Sequence, residues 1–404
     1  MSKMKYSGVD WIGKIPDDWD ICRLKHIVKM KIGATPSQNK GIEKSGEIPW
    51  YTASDFKELS MFLSESKYIT NQAVKDNRYI LFPSESILMV CIASIGKLAI
   101  TQIPCYCNQQ ITCLMPFHNN EKYIYYGILS VMNKLLYDAR ASNVVPILNT
   151  TYLKNVKITY PSLYTQQKIA NFLDEKCSQI DRLISNQEKQ IENLKAYKQS
   201  LITETVTKGL NSNVETKDSK IYYIGEIPSD WDVSRFKNIA TLSNGKEVIS
   251  SEGNIPVYGS GGIFKYTSEY IFDGVSLLMG RKGTIDRPML VNGKFWTVDT
   301  MFYTSNIKKI QPKYLYYCAI SIFDFKFYKS GSVLPSMTQS EINNIFLPSP
   351  SIVEQQQIIE YLDDKCFEID KLIEIKQQKI EKLNEYKKSL IYEYVTGKKE
   401  VVWW

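Results

Sequence analysis

The sequence predicts an α+β protein with a pseudo-two-fold internal repeat, in which two mixed α/β domains are separated by a long antiparallel two-helix coiled coil. Three observations lead to this fold. Two pairs of similar segments recur along the 404 residues, two long stretches contain neither glycine nor proline, and the other segments alternate short β-rich runs with turn residues.

The repeat is carried by two matched pairs of segments. Residues 12–27 and 224–239 are identical at ten of sixteen positions, at an offset of 212, and residues 166–207 match residues 355–396 at an offset of 189. The first copy therefore holds 23 more residues between its matched segments. Two constant ends around a variable centre are typical of a scaffold that presents a changing surface.

Each matched helical segment carries a coiled-coil stripe, with steps that alternate between four and three residues. Without glycine or proline, each segment can form about 42 residues of helix, roughly 60 Å at ~1.5 Å per residue. Such a helix would extend beyond its own domain, which favours pairing between the copies over two helices packed separately on their domains. The residues expected at the paired interface are Ile180, Ile184, Ile191, Leu194 and Leu201 of the first helix, and Ile369, Ile373, Ile380, Leu383 and Leu390 of the second.

These patterns divide the chain into four parts. We expect a first globular domain at residues 1–160, a first long helix at 161–210, a second globular domain at 211–350 and a second long helix at 351–404. The net charge is +7, and the surplus of Lys and Arg over Asp and Glu lies mainly in the globular parts, 19 against 13 in the first and 15 against 13 in the second. A surplus there suits contact with phosphates, although many proteins that bind no nucleic acid are equally basic.

The eight cysteines follow no CxxC spacing, and the chain has only two histidines. A metal site at Cys105, Cys107 and Cys113 is conceivable, but small core residues in a reducing compartment are the preferred interpretation, so no metal is expected. No stretch of 18 apolar residues and no apolar leader occurs in the sequence, which predicts a cytoplasmic protein without a membrane segment.

Motifs for catalysis are absent from the sequence. It lacks GxxxxGK[ST] for a phosphate loop and the Asn/Asp-Pro-Pro-aromatic motif of amino-methyltransferases. A nuclease site at Asp17 with Glu65 and Lys67 is disfavoured, because the repeat places Ser229 opposite Asp17. The glycine-rich run at 258–263 is interpreted as a tight turn, or secondarily as a recognition loop. The chain is therefore expected to be non-catalytic by itself.

The order of these segments resembles the specificity subunit of type I restriction-modification enzymes. The resemblance rests on the opening WIGKIP with Trp19 and Arg23, its second copy IGEIP with Trp231 and Arg235, and the QQxIxxxLDxKxxxID helices that end in SLIxExVT. It covers essentially the whole chain, and the order of four segments is more specific than any one motif. The unequal length of the two centres limits transfer of single residues between the domains.

This resemblance implies that each variable region is a target recognition domain for one half of a bipartite, asymmetric target in double-stranded DNA. It also implies that the helices hold the domains apart and dock two methyltransferase subunits, with restriction subunits joining the complex. No cofactor is then expected on this chain, while S-adenosylmethionine, ATP and Mg are expected on the partner subunits.

Candidate DNA contacts follow from the residue types that form bidentate bonds with base edges. Arg281, Lys282 and Arg287 occupy a glycine-containing turn after an apolar strand, and Lys97 lies in its counterpart in the first copy, followed by Asn108 and Gln109. The alternatives are a solvated basic turn for the cations and ordinary polar packing for Asn108 and Gln109. Trp19 and Trp231 are expected to pack in the core.

Three rival functions remain open at the level of sequence. A two-headed DNA-binding regulator would use the same layout without a methyltransferase partner. A fused endonuclease–methyltransferase fragment is disfavoured by the missing motifs, and a coiled-coil adaptor would have no role in DNA binding.

Overall fold

A computed structural model of the chain describes residues 3–35, 42–44, 46, 48–56, 61–63, 67–70, 74, 79–141, 146–248, 252–323 and 336–401. The chain forms two compact units. Unit 1 comprises Met1–Gln187 and Gln378–Trp404, and unit 2 comprises Glu188–Gln377. Each unit therefore contains one mixed domain together with a segment of each long helix. The division into four parts expected from the sequence stays a prediction.

Both domains contain helices and strands. The helices are α1 (Glu121–Ser130), α2 (Met132–Ala141), α3 (Thr150–Asn155), α4 (Leu163–Lys208), α5 (Phe236–Ile239), α6 (Pro312–Ile322), α7 (Gln339–Asn343) and α8 (Ile352–Val395). The strands of the first domain are β1 (Met4–Tyr6), β2 (Lys14–Pro16), β3 (Asp20–Arg23), β4 (Val28–Ile32), β5 (Ile42–Glu43), β6 (Trp50–Tyr51), β7 (Tyr68–Ile69), β8 (Ile87–Val90), β9 (Leu98–Ile100), β10 (Tyr106–Cys107), β11 (Ile111–Pro116) and β12 (Lys157–Tyr160). Those of the second are β13 (Thr216–Asp218), β14 (Glu226–Pro228), β15 (Asp232–Arg235), β16 (Thr241–Asn244), β17 (Ile255–Gly259), β18 (Gly262–Thr267), β19 (Phe272–Asp273), β20 (Ser276–Gly280), β21 (Met289–Val291), β22 (Lys294–Thr297), β23 (Met301–Ser305) and β24 (Phe346–Ser349).

The two domains share the topology of their four-stranded antiparallel sheet and one parallel strand pair. A four-stranded antiparallel sheet has the order β4-β11-β8-β9 in the first domain and β16-β23-β20-β21 in the second. Beside it, a parallel pair joins β6 to β10, and its counterpart joins β17 to β22. The predicted α+β fold with an internal repeat and long helices is confirmed, and the shared topology extends the repeat into the centres, where little sequence similarity remains.

Within each unit the two long helices run antiparallel. In unit 1, Lys387 Nζ lies 2.6 Å from the Asp181 carboxylate, and in unit 2 the repeat-related Lys198 Nζ lies 2.6 Å from Asp370. The coiled-coil stripe lies toward the interior. Its buried members are Ile180, Ile184, Ile191, Ile369, Ile380 and Leu390, and its half-buried members are Leu194, Leu201, Ile373 and Leu383.

The C-terminal end of each helix is anchored in a domain. Gly209 and Gly397 follow the two helices with φ of +74° and +70°, a conformation that favours glycine, and both lie against a tryptophan of the matched openings. A Cβ on Gly209 would approach the Trp231 ring to 3.1 Å, and a Cβ on Gly397 the Trp19 ring to 3.1 Å. Both indoles are buried, so they belong to the core of their units.

The N-terminal ends use a repeated glutamine. Gln166 Oε1 accepts a bond from the backbone N–H of Asn120 (3.3 Å), and Gln355 Oε1 accepts one from that of Gln311 (2.6 Å). Both glutamines are buried. Each therefore ties the start of a long helix to the residue that precedes α1 or α6. No helix in the described ranges has a long apolar stretch of the kind that crosses a membrane.

Candidate nucleic-acid interface

Four backbone segments meet at one edge of the sheets in each unit. In unit 2 they are residues 245–247, 258–264, 281–288 and 297–300, and we call this the loop edge of unit 2. The segments are joined by backbone bonds from Lys246 N to Thr297 O (2.9 Å), from Val298 N to Tyr258 O (3.3 Å) and from Arg281 N to Thr300 O (2.8 Å).

Unit 1 has the same loop edge, formed by residues 33–35, 51–56, 91–97 and 107–110. Its bonds are the counterparts of those in unit 2: Ala34 N to Cys107 O (2.8 Å), Asn108 N to Tyr51 O (3.0 Å) and Cys91 N to Gln110 O (2.8 Å). These matches align Cys91 with Arg281, Asn108 with Val298 and Gln109 with Asp299. The scaffold of the edge is therefore repeated, while its side chains differ.

A close backbone crossing begins each loop edge and requires glycine. A Cβ on Gly33 would lie 2.3 Å from the carbonyl oxygen of Cys107, and a Cβ on Gly245 would lie 2.0 Å from that of Val298. Backbone atoms at these distances leave no room for a side chain, so both crossings depend on glycine.

The turn that follows β8 in unit 1 and β20 in unit 2 has a residue with positive φ at the same position. Ala93 has φ of +63° and Gly283 has φ of +85°. The carbonyl oxygens of Cys91 and Arg281 accept equivalent bonds from Leu148 N (2.8 Å) and Met337 N (2.9 Å). The turn is therefore one structural element, and only unit 2 places cations at its start.

In unit 2, the three predicted cations lie together on this turn. Arg281 is half-buried, and its guanidinium donates to the carbonyl oxygen of Asp299 at 3.3 Å. Lys282 and Arg287 are exposed, while Ile285 between them is buried and holds the turn against the domain. Two cations therefore face solvent, and a third is held beside them in a fixed direction.

In unit 1, the predicted residues also lie on the loop edge but have different surroundings. Lys97 Nζ donates to the carbonyl oxygens of Ala53 (3.3 Å) and Phe56 (3.5 Å), so it stabilises the 3-10 turn Ala53–Asp55. Asn108 is buried, and both ends of its amide bond to Gln110. Gln109 is exposed and accepts a bond from the Thr35 hydroxyl. Of the three, Gln109 is the side chain best placed to meet a ligand, and the DNA contacts stay predictions.

Sequence reasoning missed the other polar side chains on these edges, among them Thr35, Thr52, Ser54, Ser260 and Asp299. A signal for them was present, because Gly33 and Gly245 each follow a strand and precede polar residues. The signal could not be interpreted without knowing that a backbone crossing occurs at both glycines.

Three cysteines of unit 1 lie in its core. Cys105, Cys107 and Cys113 pack in one apolar cluster, and burial raises the pKa of the Cys105 thiol to about 12. Burial also raises the pKa of Cys107 and Cys113, so all three are poor thiolate donors at neutral pH. Across the described part of the chain, no three His, Cys, Asp or Glu residues are grouped as ligands for a metal ion.

A duplicated domain with a constant backbone edge and variable side chains, attached to paired helices, defines a two-domain recognition protein. A family model described as the type I restriction modification DNA specificity domain matches residues 16–195 and 228–385, so the chain belongs to the family of type I restriction-modification specificity subunits.

Individual relatives agree with this family. The chain is 27% identical over 399 residues to the type I restriction enzyme MjaIX specificity subunit of Methanocaldococcus jannaschii, with 90% of each chain covered. It is 24% identical over 374 residues to the EcoprrI specificity subunit of Escherichia coli, covering 88% of this chain and 90% of the relative. A solved chain from a study of the assembly and conformational transition of the type I R-M system has a TM-score of 0.73 at 12% identity, with 95% and 99% of the chains covered, which shows a shared fold.

The glycine crossing leads to a stability prediction. Gly245→Ala should lower the free energy of unfolding by about 1–3 kcal/mol, because the new Cβ meets a backbone carbonyl that cannot move freely. Thermal unfolding of the full chain measures the change. Gly261→Ala is the matched control, since a Cβ there meets nothing within 4 Å, and it should not destabilise the chain. Equal behaviour of the two variants would contradict the crossing.

Proposed function

We propose that the chain is the DNA sequence-specificity subunit of a type I restriction-modification complex, and that each loop edge recognises one half of a bipartite, asymmetric target in double-stranded DNA. The observation that carries this proposal is the repeated backbone scaffold of the loop edges, which holds different side chains in the two units. Two edges of the same shape and different chemistry suit two half-sites of different sequence.

The chemistry of the edges supports different roles in recognition. On unit 2, the guanidinium of Arg281 is of the type that pairs with guanine O6 and N7, while the exposed Lys282 and Arg287 suit phosphates or bases. On unit 1, the exposed side chain of Gln109 is of the type that pairs with adenine. Lys97 and Asn108 stabilise that edge, because their polar atoms form hydrogen bonds with other residues of the edge.

Methylation and cleavage are assigned to partner subunits. The chain carries no methyltransferase motif and no phosphate loop, so S-adenosylmethionine, ATP and Mg would be bound by methyltransferase and restriction subunits. The chain itself supplies sequence recognition and the surfaces on which those subunits assemble.

A second stripe on the long helices is suited to dock two identical methyltransferase subunits. Leu183 and Leu372 are 48% and 46% exposed, and Tyr197 and Tyr386 are 58% and 56% exposed. Each pair is related by the repeat offset, so unit 1 exposes Leu183 with Tyr386 and unit 2 exposes Leu372 with Tyr197. Matched apolar side chains in each unit favour one copy of the same partner on each.

The first prediction from this proposed function tests assembly and activity. The purified chain alone should bind no S-adenosylmethionine and transfer no methyl group, whereas the chain with its methyltransferase partner should methylate adenine in an interrupted, asymmetric sequence. Methylation mapping by single-molecule sequencing measures this. Sequence-specific binding without a methyltransferase partner would support the two-headed regulator instead, and methyl transfer by the chain alone would refute the non-catalytic role.

The second prediction separates base contacts from phosphate contacts in the assembled complex. Arg281→Ala should weaken binding to the natural target by ~1–3 kcal/mol and relax specificity at one position of the second half-site. Lys282→Ala should weaken all sequences about equally and reduce the slope of log K against log salt by roughly 0.9, if it contacts one phosphate. Unchanged binding by both variants would move recognition away from this turn.

The third prediction concerns docking. Leu183→Ala combined with Leu372→Ala should weaken association with the methyltransferase subunit by about tenfold or more, because the two leucines no longer bury apolar surface against the partner. Analytical ultracentrifugation of the mixture measures this. Gln377→Ala is the control: Gln377 is exposed on the same helix, and five residues rotate it by about 140° from Leu372. An equal effect of the control would argue against a specific docking stripe.

A further inference from the structure

The β17–β18 hairpin exposes large apolar side chains at the loop edge of unit 2. Phe264 is 58% exposed, and Ile263 and Tyr266 on the same strand are about half exposed. The strand β18 forms the outer edge of its sheet, in the order β18-β17-β22-β19. Three neighbouring apolar residues on an edge strand form a surface that a binding partner can cover.

This apolar surface adjoins the basic turn. A Cβ on Gly283 would lie 3.6 Å from the Ser260 hydroxyl at the hairpin tip, so the tip lies beside the segment that carries Arg281 and Lys282. The start of the hairpin is tied to the same place, because Tyr258 O accepts bonds from Val298 N (3.3 Å) and the Thr297 hydroxyl (3.1 Å). The ammonium of Lys265 also lies 5.8 Å from the centre of the Phe264 ring. The exposed apolar side chains and the cations therefore belong to neighbouring segments of the loop edge.

The tip of the hairpin contains two glycines with open space around them. A Cβ on Gly261 or on Gly262 would meet nothing within 4 Å, and Gly262 has φ of +112°, which favours glycine. Phe264 lies across Gly259, since a Cβ there would be 3.3 Å from its ring. The glycines thus leave Ile263 and Phe264 as the large exposed side chains next to the tip.

We propose that the β17–β18 hairpin enters the major groove of the half-site recognised by unit 2 and places Phe264 against the 5-methyl group of a thymine. The inference rests on the proposed function and extends it to a new contact. A two-stranded ribbon fits the major groove, where the thymine methyl is the apolar group that a base pair presents. The neighbouring cations match the phosphates that line the groove.

In the part of the unit 1 loop edge that the structure describes, residues 51–56, no hairpin follows β6. The segment that follows β6 there forms the 3-10 turn Ala53–Asp55, closed by a capping box between Thr52 and Asp55. The thymine contact is therefore assigned to the second half-site, which is how it can be separated from general DNA binding.

The test compares Phe264→Ala with the unaltered chain in the complex with the methyltransferase partner. The DNA probes are duplexes of the mapped target with thymine, or with uracil, in the half-site assigned to unit 2. On thymine DNA the variant should bind on the order of tenfold more weakly, and on uracil DNA, which lacks the methyl group, the two proteins should bind alike. Phe264→Leu should restore most of the binding, since it remains apolar.

Tyr222→Ala is the matched control, because Tyr222 is an exposed aromatic of the same unit that lies between β13 and β14. It should leave both probes unaffected. An equal loss for Phe264→Ala on both probes, or a half-site without any A·T pair, would overturn the thymine contact. A loss of methyltransferase assembly with unchanged DNA affinity would overturn it in favour of a protein partner. If the unaltered complex fails to recognise a bipartite target, the proposed function itself is wrong.

Discussion

In each unit a buried tyrosine hydroxyl bonds to a carbonyl in the last turn of a long helix. Tyr123 donates to the carbonyl oxygen of Val395 at 3.3 Å, across 272 residues of chain, and Tyr314 donates to that of Val206 at 3.0 Å. A carbonyl at a helix end has no partner within the helix, and leaving it buried without one would cost about 1–3 kcal/mol. Thr159 adds a second bond to Val395 at 2.6 Å. These bonds attach each domain to the last turn of the long helix that ends in it.

Because the helices are held in this way, the loop edges can differ without disturbing the rest of the unit. The bonds that assemble an edge join backbone atoms, and the same bonds occur whether Cys91 or Arg281 stands at the start of the turn. Cys91 is buried and Arg281 is half-buried, so the same position is packed in one unit and partly exposed in the other. The side chains on a loop edge and the backbone bonds that assemble it are thus largely independent.

The repeat allowed the helices to be predicted closely. The matched segments begin at Gln166 and Gln355, whereas the helices begin three residues earlier, at Leu163 and Ile352. The sequences of the two copies differ in these three residues, so the repeat did not reveal them. A signal for the true start was present: Ser162 and Ser351 accept bonds from Thr165 N and Glu354 N, both at 3.2 Å, as capping serines do.

The site was less predictable, because its geometry comes from contacts far apart in sequence. Lys97 was selected as a cation on a turn, yet it bonds to the carbonyl of Ala53, 44 residues earlier. The hairpin at 258–264 could be interpreted as a turn, but its contact with Gly283 depends on a parallel pairing of β17 with β22 that no local pattern specifies. Alignment of Ala93 with Gly283 likewise required the shared backbone bonds.

The same separation indicates which changes a loop edge can accept. Exposed side chains of the loop edges, such as Lys282, Arg287 and Gln109, can be exchanged at small cost in folding, and each exchange alters the charge or hydrogen-bonding groups on the surface of the edge. Gly33 and Gly245 cannot be exchanged in this way, because a backbone carbonyl fills the place of a Cβ. The surface of a loop edge should therefore change by substitution around a fixed glycine crossing, and the two edges can change independently because each unit carries its own crossing.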